Sequence, residues 1–417
     1  MQADDLCTRA AELDRADPLA HCRDLYLTAP DDDVVAYLDG NSLGRPLRAS
    51  VDRISGFLQR SWSGRLIRGW DEEWLELPLR IGDRLGEVVL GAGPGQTTIG
   101  DSTTVLLYKL ARGALALRPG RAEIVVDTDN FPTDRYVVEG IADELGLTIR
   151  WVATDPHSGV EPEHLAPALS ERTALVLLSH VAYRSGHLAD AERITRAVHD
   201  VGAVVVWDLS HSVGSVPLEL DAWGVDLAVG CTYKYLNGGP GSPAFGYVRS
   251  EHQDAFRQPI WGWMGRRDAF GMGPGYEPAD GIRRLLSGTP PILGMLAVQD
   301  TIDLIATVGM PAVRAKSIML TEFAVEICRQ WLEPLGVRLA SPHDPQRRGG
   351  HVTVEHPLFR ELTPTLWAAG VIPDFRSPQG LRLGLSPLST SFAELAAGLV
   401  VIRDELGQLV AARSATA

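Results

Sequence analysis

The chain has 417 residues, of which 45% are hydrophobic and 22% charged, and its formal net charge is −14. That length can bury a large core divided over two or three domains, while the acidic balance disfavours nucleic acid and anionic membrane, which would both repel it. Cys7, Cys22, Cys231 and Cys328 show no paired metal-ligand spacing, no apolar run approaches the ~18 residues of a membrane span, and acids from Asp4 to Asp17 occupy the place of a signal peptide's apolar core, so a home in the reduced cytoplasm is expected.

Residues 1–30 read as a polar helix and its exit, with Leu6, Ala10, Leu13 and Ala20 spaced for one face. Residues 34–38 read as a short strand, and Asp39-Gly40-Asn41-Ser42-Leu43-Gly44 as a tight turn. This stretch is either only a turn or a loop that offers Asn41 and Ser42 to a ligand. Residues 47–90 have a helical pattern in which Trp62, Trp70 and Trp74 alternate with arginines. Asp71, Glu72 and Glu73 among them favour core packing and a pocket wall over base stacking. Next, Thr97-Thr98-Ile99-Gly100 leads through Asp101, Ser102, Thr103 and Thr104 into a helical period. Hydroxyl residues there cap free backbone N–H groups, and the same helix end can hold a phosphate.

Strand patterns at 122–127, 148–153, 174–179, 203–208, 226–231 and 244–248 then alternate with helical ones, which predicts an α/β fold with a mostly parallel sheet. Ligands of such sheets gather beyond the carboxyl ends of the strands. Applied here, that rule brings together Phe131 and Asp134 from the DNFPTD run, Ser179, Asp208 with His211, and Tyr233 with Lys234. Singly these are a core aromatic, a helix cap, a turn residue and a packed histidine; four strand ends converging point to a site.

The lysines sharpen that expectation. The chain holds only Lys109, Lys234 and Lys316. Lys109 and Lys316 fall in helical patterns, where a solvated lysine is the ordinary case. Lys234 alone follows a strand, beside Gly238, Gly239 and Gly241. A lysine and a carboxylate at neighbouring strand ends suit pyridoxal 5'-phosphate (PLP): the lysine holds its aldehyde as a Schiff base and Asp208 keeps its pyridine nitrogen protonated. The Thr103–Thr104 helix end then becomes a phosphate site.

Residues 250–290 form an irregular Gly-, Trp- and Pro-rich stretch with Trp261 and Trp263, of the kind used in functional loops and subunit contacts. Residues 293–332 read as long helices and 337–417 as a smaller α+β unit. In its LRLGL run, Arg382 and Gly384 share a face, and Arg382 is either a fork for a carboxylate or an edge-strand charge.

Taken together, LDGNSLG, FPTD, WDLSHSVG, YKYLNGGPG, GWMG, TPPI and LRLG span nearly the whole chain and resemble kynureninase, a PLP enzyme family of the aminotransferase-like fold. The resemblance implies a PLP-dependent transferase fold: residues 1–50 packing with the small domain, 51–290 forming the large PLP-binding domain, and 291–417 supplying a helical connection and the small C-terminal domain. It implies that Lys234 carries the cofactor, Asp208 faces the pyridine nitrogen, Phe131 stacks on the ring, and Asp134 and His211 support it. Thr103, Thr104, Ser179 and Tyr233 are expected around the cofactor and its phosphate. Trp263 and Thr289 are expected to approach the phosphate from the neighbouring subunit of a homodimer. Arg382 is expected to bind the substrate α-carboxylate, with Asn41 and Ser42 nearby.

The implied reaction is hydrolysis of L-kynurenine to anthranilate and L-alanine, in tryptophan catabolism and NAD biosynthesis, with no metal. Animal kynureninases have His where this chain has Trp70 and Ser-Asn at Gly288-Thr289, so the chain resembles the bacterial pattern. An indole in place of a hydrogen-bonding imidazole implies preference for kynurenine over 3-hydroxykynurenine. Ser389 also departs from the family, which often has an aromatic residue there. The alternatives are a paralogue acting on a substituted kynurenine, an aminotransferase, a desulfurase-like lyase, and a cofactor-retaining protein without catalysis. A desulfurase needs a late-loop cysteine, and none follows Cys328.

Overall fold

The computed structural model describes residues 3–28 and 33–415, so residues 1–2 and 29–30 of the expected polar helix and its exit lie outside the described residues. Among the described residues, twelve strands build two sheets. β1 (Ala36–Leu38) joins the smaller. The larger contains β2 (Thr97–Gly100), β3 (Glu123–Asp127), β4 (Thr148–Val152), β5 (Thr173–Ser179), β6 (Val204–Asp208), β7 (Leu227–Gly230) and β8 (Ala244–Val248), in the order β2-β8-β7-β6-β5-β3-β4. The neighbours from β4 to β7 are parallel, and β8 runs antiparallel to both β7 and β2. Val125, Val176, Val205 and their neighbours are fully buried, as strands covered on both faces require.

The expected strands fall within two residues of the observed ones. β2 was not expected as a strand: its Thr-Thr-Ile-Gly sequence reads polar, yet all four residues are buried beneath the helix Leu77–Leu85.

The smaller sheet adds β9 (Arg338–Leu339), β10 (His351–Glu355), β11 (Val371–Arg376) and β12 (Gly380–Gly384), in the order β1-β11-β12-β10-β9. Strict alternation divides its two faces. Val352, Val354, Leu381 and Leu383 enter a core shared with Phe392, Leu399 and Ile402 of the C-terminal helix and Leu6 and Ala10 of the helix Ala3–Ala16. The pairings Asp374↔Arg382, Thr353↔Arg382 and His351↔Gly384 put those residues together on the opposite face. β12 is interior to the sheet, which rules out an edge-strand role for Arg382. Ala20 leaves the face of Leu6 and Ala10, because it starts a separate 3-10 turn.

Two helices tie the sheets together. Ile292–Val308 packs on the larger core, and Met310–Ile327 places Leu320, Phe323 and Ile327 in the smaller one. Gly309, with φ of 82°, makes the bend between them.

The two helical lysines are not solvated. Lys109 is fully buried, with Nζ 2.5 Å from Asp101 and donating to the Leu285 carbonyl at 2.9 Å. Lys316 is buried against Asp17 at 2.7 Å. Each helix is covered on the side its lysine occupies, and a carboxylate replaces the lost water. Periodicity alone does not reveal that cover.

Candidate active site

The carboxyl ends of β3, β5, β6 and β7 open onto one cavity. It is lined by Thr103, Thr104, Phe131, Asp134, Ser179, Asp208, His211, Tyr233 and Lys234, all nine expected there, and also by Thr133, Tyr183 and Ser210. Tyr183 and Ser210 follow strand ends just as the others do, so the same rule applied further along each loop would have found them.

Lys234 lies four residues beyond β7 in a loop closed by two hydrogen bonds: Asn237 N donates to Lys234 O at 3.0 Å and Gly238 N to Thr232 O at 2.9 Å. The 39–44 turn seats against that loop, with Gly44 N donating to Tyr233 O at 2.8 Å and Asn237 Nδ2 to Arg45 O at 2.9 Å. Only 9% of Lys234 is exposed, and its Nζ lies 2.9 Å from His211 Nε2. Asp208, paired with Ser179 across β5–β6, accepts from Ser210 N at 2.8 Å. Ser179 Oγ donates at 2.9 Å to Asn130 Oδ1, which also accepts from Phe131 N at 2.7 Å, so this serine sets the aromatic wall. The Phe131 ring meets Tyr183 edge-on at 5.4 Å. Thr103 and Thr104 open the helix Thr103–Leu117, capped by Ser102, whose Oγ accepts from Val105 N at 3.4 Å.

The electrostatics follow from burial. Desolvation, then the neighbouring Asp208 and Asp127, hold the Asp134 carboxyl well above its ordinary range. Desolvation, then the Lys234 cation, hold the His211 imidazole well below its usual value, so it is neutral and its Nε2 can accept from Lys234. The Tyr233 phenol is pushed up by desolvation and then by Cys231, which keeps it protonated as a donor.

This donor set fits PLP. Asp134 Oδ2 is buried without a hydrogen-bond partner beside a cavity that already holds a lysine, an aromatic wall and a hydroxyl-rich helix N-terminus.

The smaller sheet packs against the Tyr183 loop of this lining, while Arg382, Asn41 and Ser42 do not themselves line the cavity. Arg382 is 1% exposed, ion-paired with Asp374, and donates to Tyr183 O at 2.8 Å and Ser42 Oγ at 3.0 Å. Asn41 is fully buried, and both polar atoms of its amide lack a partner. Asp374 was missed in the sequence because β11, VIPDFR, contains a proline and carries no strong strand pattern. Trp70, Trp263 and Thr289 lie outside the Lys234 cavity. Trp70 meets Trp74 at 5.4 Å and Trp263 at 6.2 Å, both edge-on, and Thr289 is exposed.

Residues 313–402 match the family model described as the kynureninase C-terminal domain. Kynureninase of Burkholderia pseudomallei (strain 1106a) is 40% identical over 402 residues, covering 95% of this chain and 94% of that protein. Kynureninase of Pseudomonas fluorescens is 40% identical over 390 residues, covering 92% and 91%. The chain belongs to the kynureninase family. It is a PLP-dependent, kynurenine-cleaving enzyme that hydrolyses a carbon–carbon bond. Its fold is shared with a C-DES mutant carrying glycine linked to PLP (TM-score 0.81, 18% identity, 92% of this chain and 99% of that one). A cysteine desulfurase from Thermococcus onnurineus NA1 has the same fold (TM-score 0.77, 18% identity, 89% and 95%). Among the described residues no single helix is long and apolar enough to cross a membrane.

Proposed function

We propose that this kynureninase-family enzyme hydrolyses L-kynurenine to anthranilate and L-alanine in the cytoplasm, as a step of tryptophan catabolism that also feeds NAD biosynthesis, and prefers kynurenine to 3-hydroxykynurenine. What carries this function is the convergence of Lys234, Asp208 and Tyr233 on one cavity, with Arg382 bonded to the backbone of Tyr183 in its lining. PLP, when bound, supplies an electron sink for bond changes at the α- and β-carbons of the substrate. Thr103 and Thr104 would hold its phosphate at the helix N-terminus, Phe131 would cover its ring, Asp208 would hold the proton on its ring nitrogen, and Asp134, Ser179 and His211 would complete its surroundings.

Arg382 binds the α-carboxylate, with Asn41 and Ser42 beside it, and so fixes the substrate relative to Lys234. Lys234 removes the proton from the α-carbon. Tyr233, kept protonated by its buried setting, gives a proton to the γ-carbonyl oxygen as water adds there and regains one from that water. The diol's hydroxyl proton leaves as the Cβ–Cγ bond breaks, a proton is delivered to the β-carbon, and Lys234 returns its proton to the α-carbon, which completes alanine.

The enzyme acts as a homodimer in which Trp263 and Thr289 serve the partner's phosphate, and Trp70, packed against Trp263, serves the ring of its substrate. In support, Trp70 lines an apolar surface cavity of about 300 Å³ with Trp62, Pro290 and Leu293, away from this chain's own lysine. A ring hydroxyl brought against that indole without a hydrogen-bond partner costs about 1–3 kcal/mol, a preference on the order of ten-fold or more. Comparing kcat/KM for the two substrates tests this. Comparable values would refute the preference, and a monomer in sedimentation at assay concentration would refute the dimer.

A further inference from the structure

The row of the smaller sheet that faces the lysine contains one more titratable residue, His351. Its cross-strand neighbour is Gly384, and a Cβ on Gly186 would lie 3.3 Å from its Nε2, so two glycines leave the imidazole its space. His351 is fully buried, and its ring centroid lies 5.5 Å from that of His211 with the planes 55° apart. On its other side His211 reaches Lys234, Nε2 to Nζ, at 2.9 Å. Nδ1 of His211 and both ring nitrogens of His351 are buried without a hydrogen-bond partner.

Three cations face the pair: Lys234 from the loop after β7, Arg382 from β12 and Arg376 from β11. The backbone carbonyls of Tyr183 and Arg184 approach His351 from the loop after β5. Burial and these cations keep both rings neutral, so each offers one N–H and one lone pair. Because Lys234 Nζ donates to Nε2 of His211, the ring proton of His211 belongs on Nδ1. A buried N–H without an acceptor is costly, and the neighbouring His351 ring also has nitrogens without partners.

We propose that His351 is a positioning residue whose ring turns to accept the Nδ1–H of His211, fixes its tautomer and thereby holds the Nε2 lone pair on Lys234. The chain Lys234–His211–His351 then joins the lysine of the larger sheet to the same face of the smaller sheet that presents Arg382. This role rests on Lys234 being the PLP lysine.

The test is a pH titration, without substrate, of the visible absorbance of PLP bound to the wild type, His351→Gln and His351→Leu. Gln retains an acceptor and Leu does not. Loss of the acceptor frees His211 to protonate Nε2, which withdraws support from the protonated nitrogen on Lys234. The midpoint therefore falls by about one pH unit in His351→Leu and stays near the wild-type value in His351→Gln. An unchanged midpoint in His351→Leu overturns the role. Should that variant fail to fold or to hold PLP, the tautomer read by NMR from isotope-labelled imidazole nitrogens of the wild type decides. Proton on Nδ1 of His211 supports the role, and proton on Nε2 overturns it. A wild type with no lysine-bound absorbance overturns the Lys234 assignment and the role of His351 with it.

Discussion

Gly44 is the point where the 39–44 turn presses on the lysine loop, and replacing it with alanine perturbs the site without touching a chemical group. A Cβ at Gly44 would lie 2.3 Å from both the Lys234 carbonyl oxygen and Asn237 Nδ2, and 2.9 Å from Asn237 Cγ. Ordinary contact begins at 3.4 Å, so the turn and loop must part by about 1 Å. The Asn237 side chain can give way, at the expense of its bond to Arg45 O. The Lys234 carbonyl can move only with its backbone, and the Gly44 N to Tyr233 O bond lengthens with it. Overpacking of this kind costs about 1–3 kcal/mol. A displacement near 1 Å at the reacting lysine and Tyr233 lowers kcat on the order of 100-fold. Thermal unfolding, retention of PLP absorbance and kcat on L-kynurenine would be measured on Gly44→Ala. An unfolding midpoint and a kcat both indistinguishable from wild type would show that the turn does not hold the lysine loop in place.

Lys234→Ala should lose turnover and the lysine-bound absorbance of PLP together, and persistence of either contradicts the assignment. Arg382→Lys keeps the charge but cannot serve Asp374, Ser42, Tyr183 O and a carboxylate at once, so KM for L-kynurenine should rise on the order of ten-fold or more; an unaltered KM would remove Arg382 from carboxylate binding. His180 is buried against Trp207 and Trp223, and burial, then Arg314, lowers its pKa from 6.5 to about 3. The unfolded chain therefore takes up this proton first on acidification, and the contribution of neutral His180, complete above pH 6.5, fades from there down to about 3. Urea unfolding across that window should show a shallower acid decline in His180→Gln, and matching declines would refute the assignment.

The parts of the site that were legible in the sequence lie where one local pattern determines geometry. Apolar runs ending at Ser179 and Asp208 and just before Tyr233 and Lys234 are parallel strands, and their carboxyl ends meet because parallel neighbours end on the same side. The illegible parts depend on what packs from elsewhere. Lys109 and Lys316 look solvated until Leu285 and Asp17 arrive from distant segments and Asp101, just ahead of the first lysine's own helix, turns onto it. Thr97–Gly100 is a strand because β8 and the helix Leu77–Leu85 cover it, not because of its own composition. His351 begins an ordinary alternating strand, and only the register that sets it opposite Gly384 turns it toward His211. The placement of Trp70 and Trp263 against each other likewise comes from tertiary packing across nearly two hundred residues of chain.

The most direct test of the central claim is to mix purified, PLP-loaded enzyme with L-kynurenine and quantify anthranilate by fluorescence alongside L-alanine. Equal molar amounts of the two, with none from Lys234→Ala, are predicted. L-Kynurenine left intact by a protein that holds PLP on Lys234, or converted to a keto acid in place of alanine, would contradict the account.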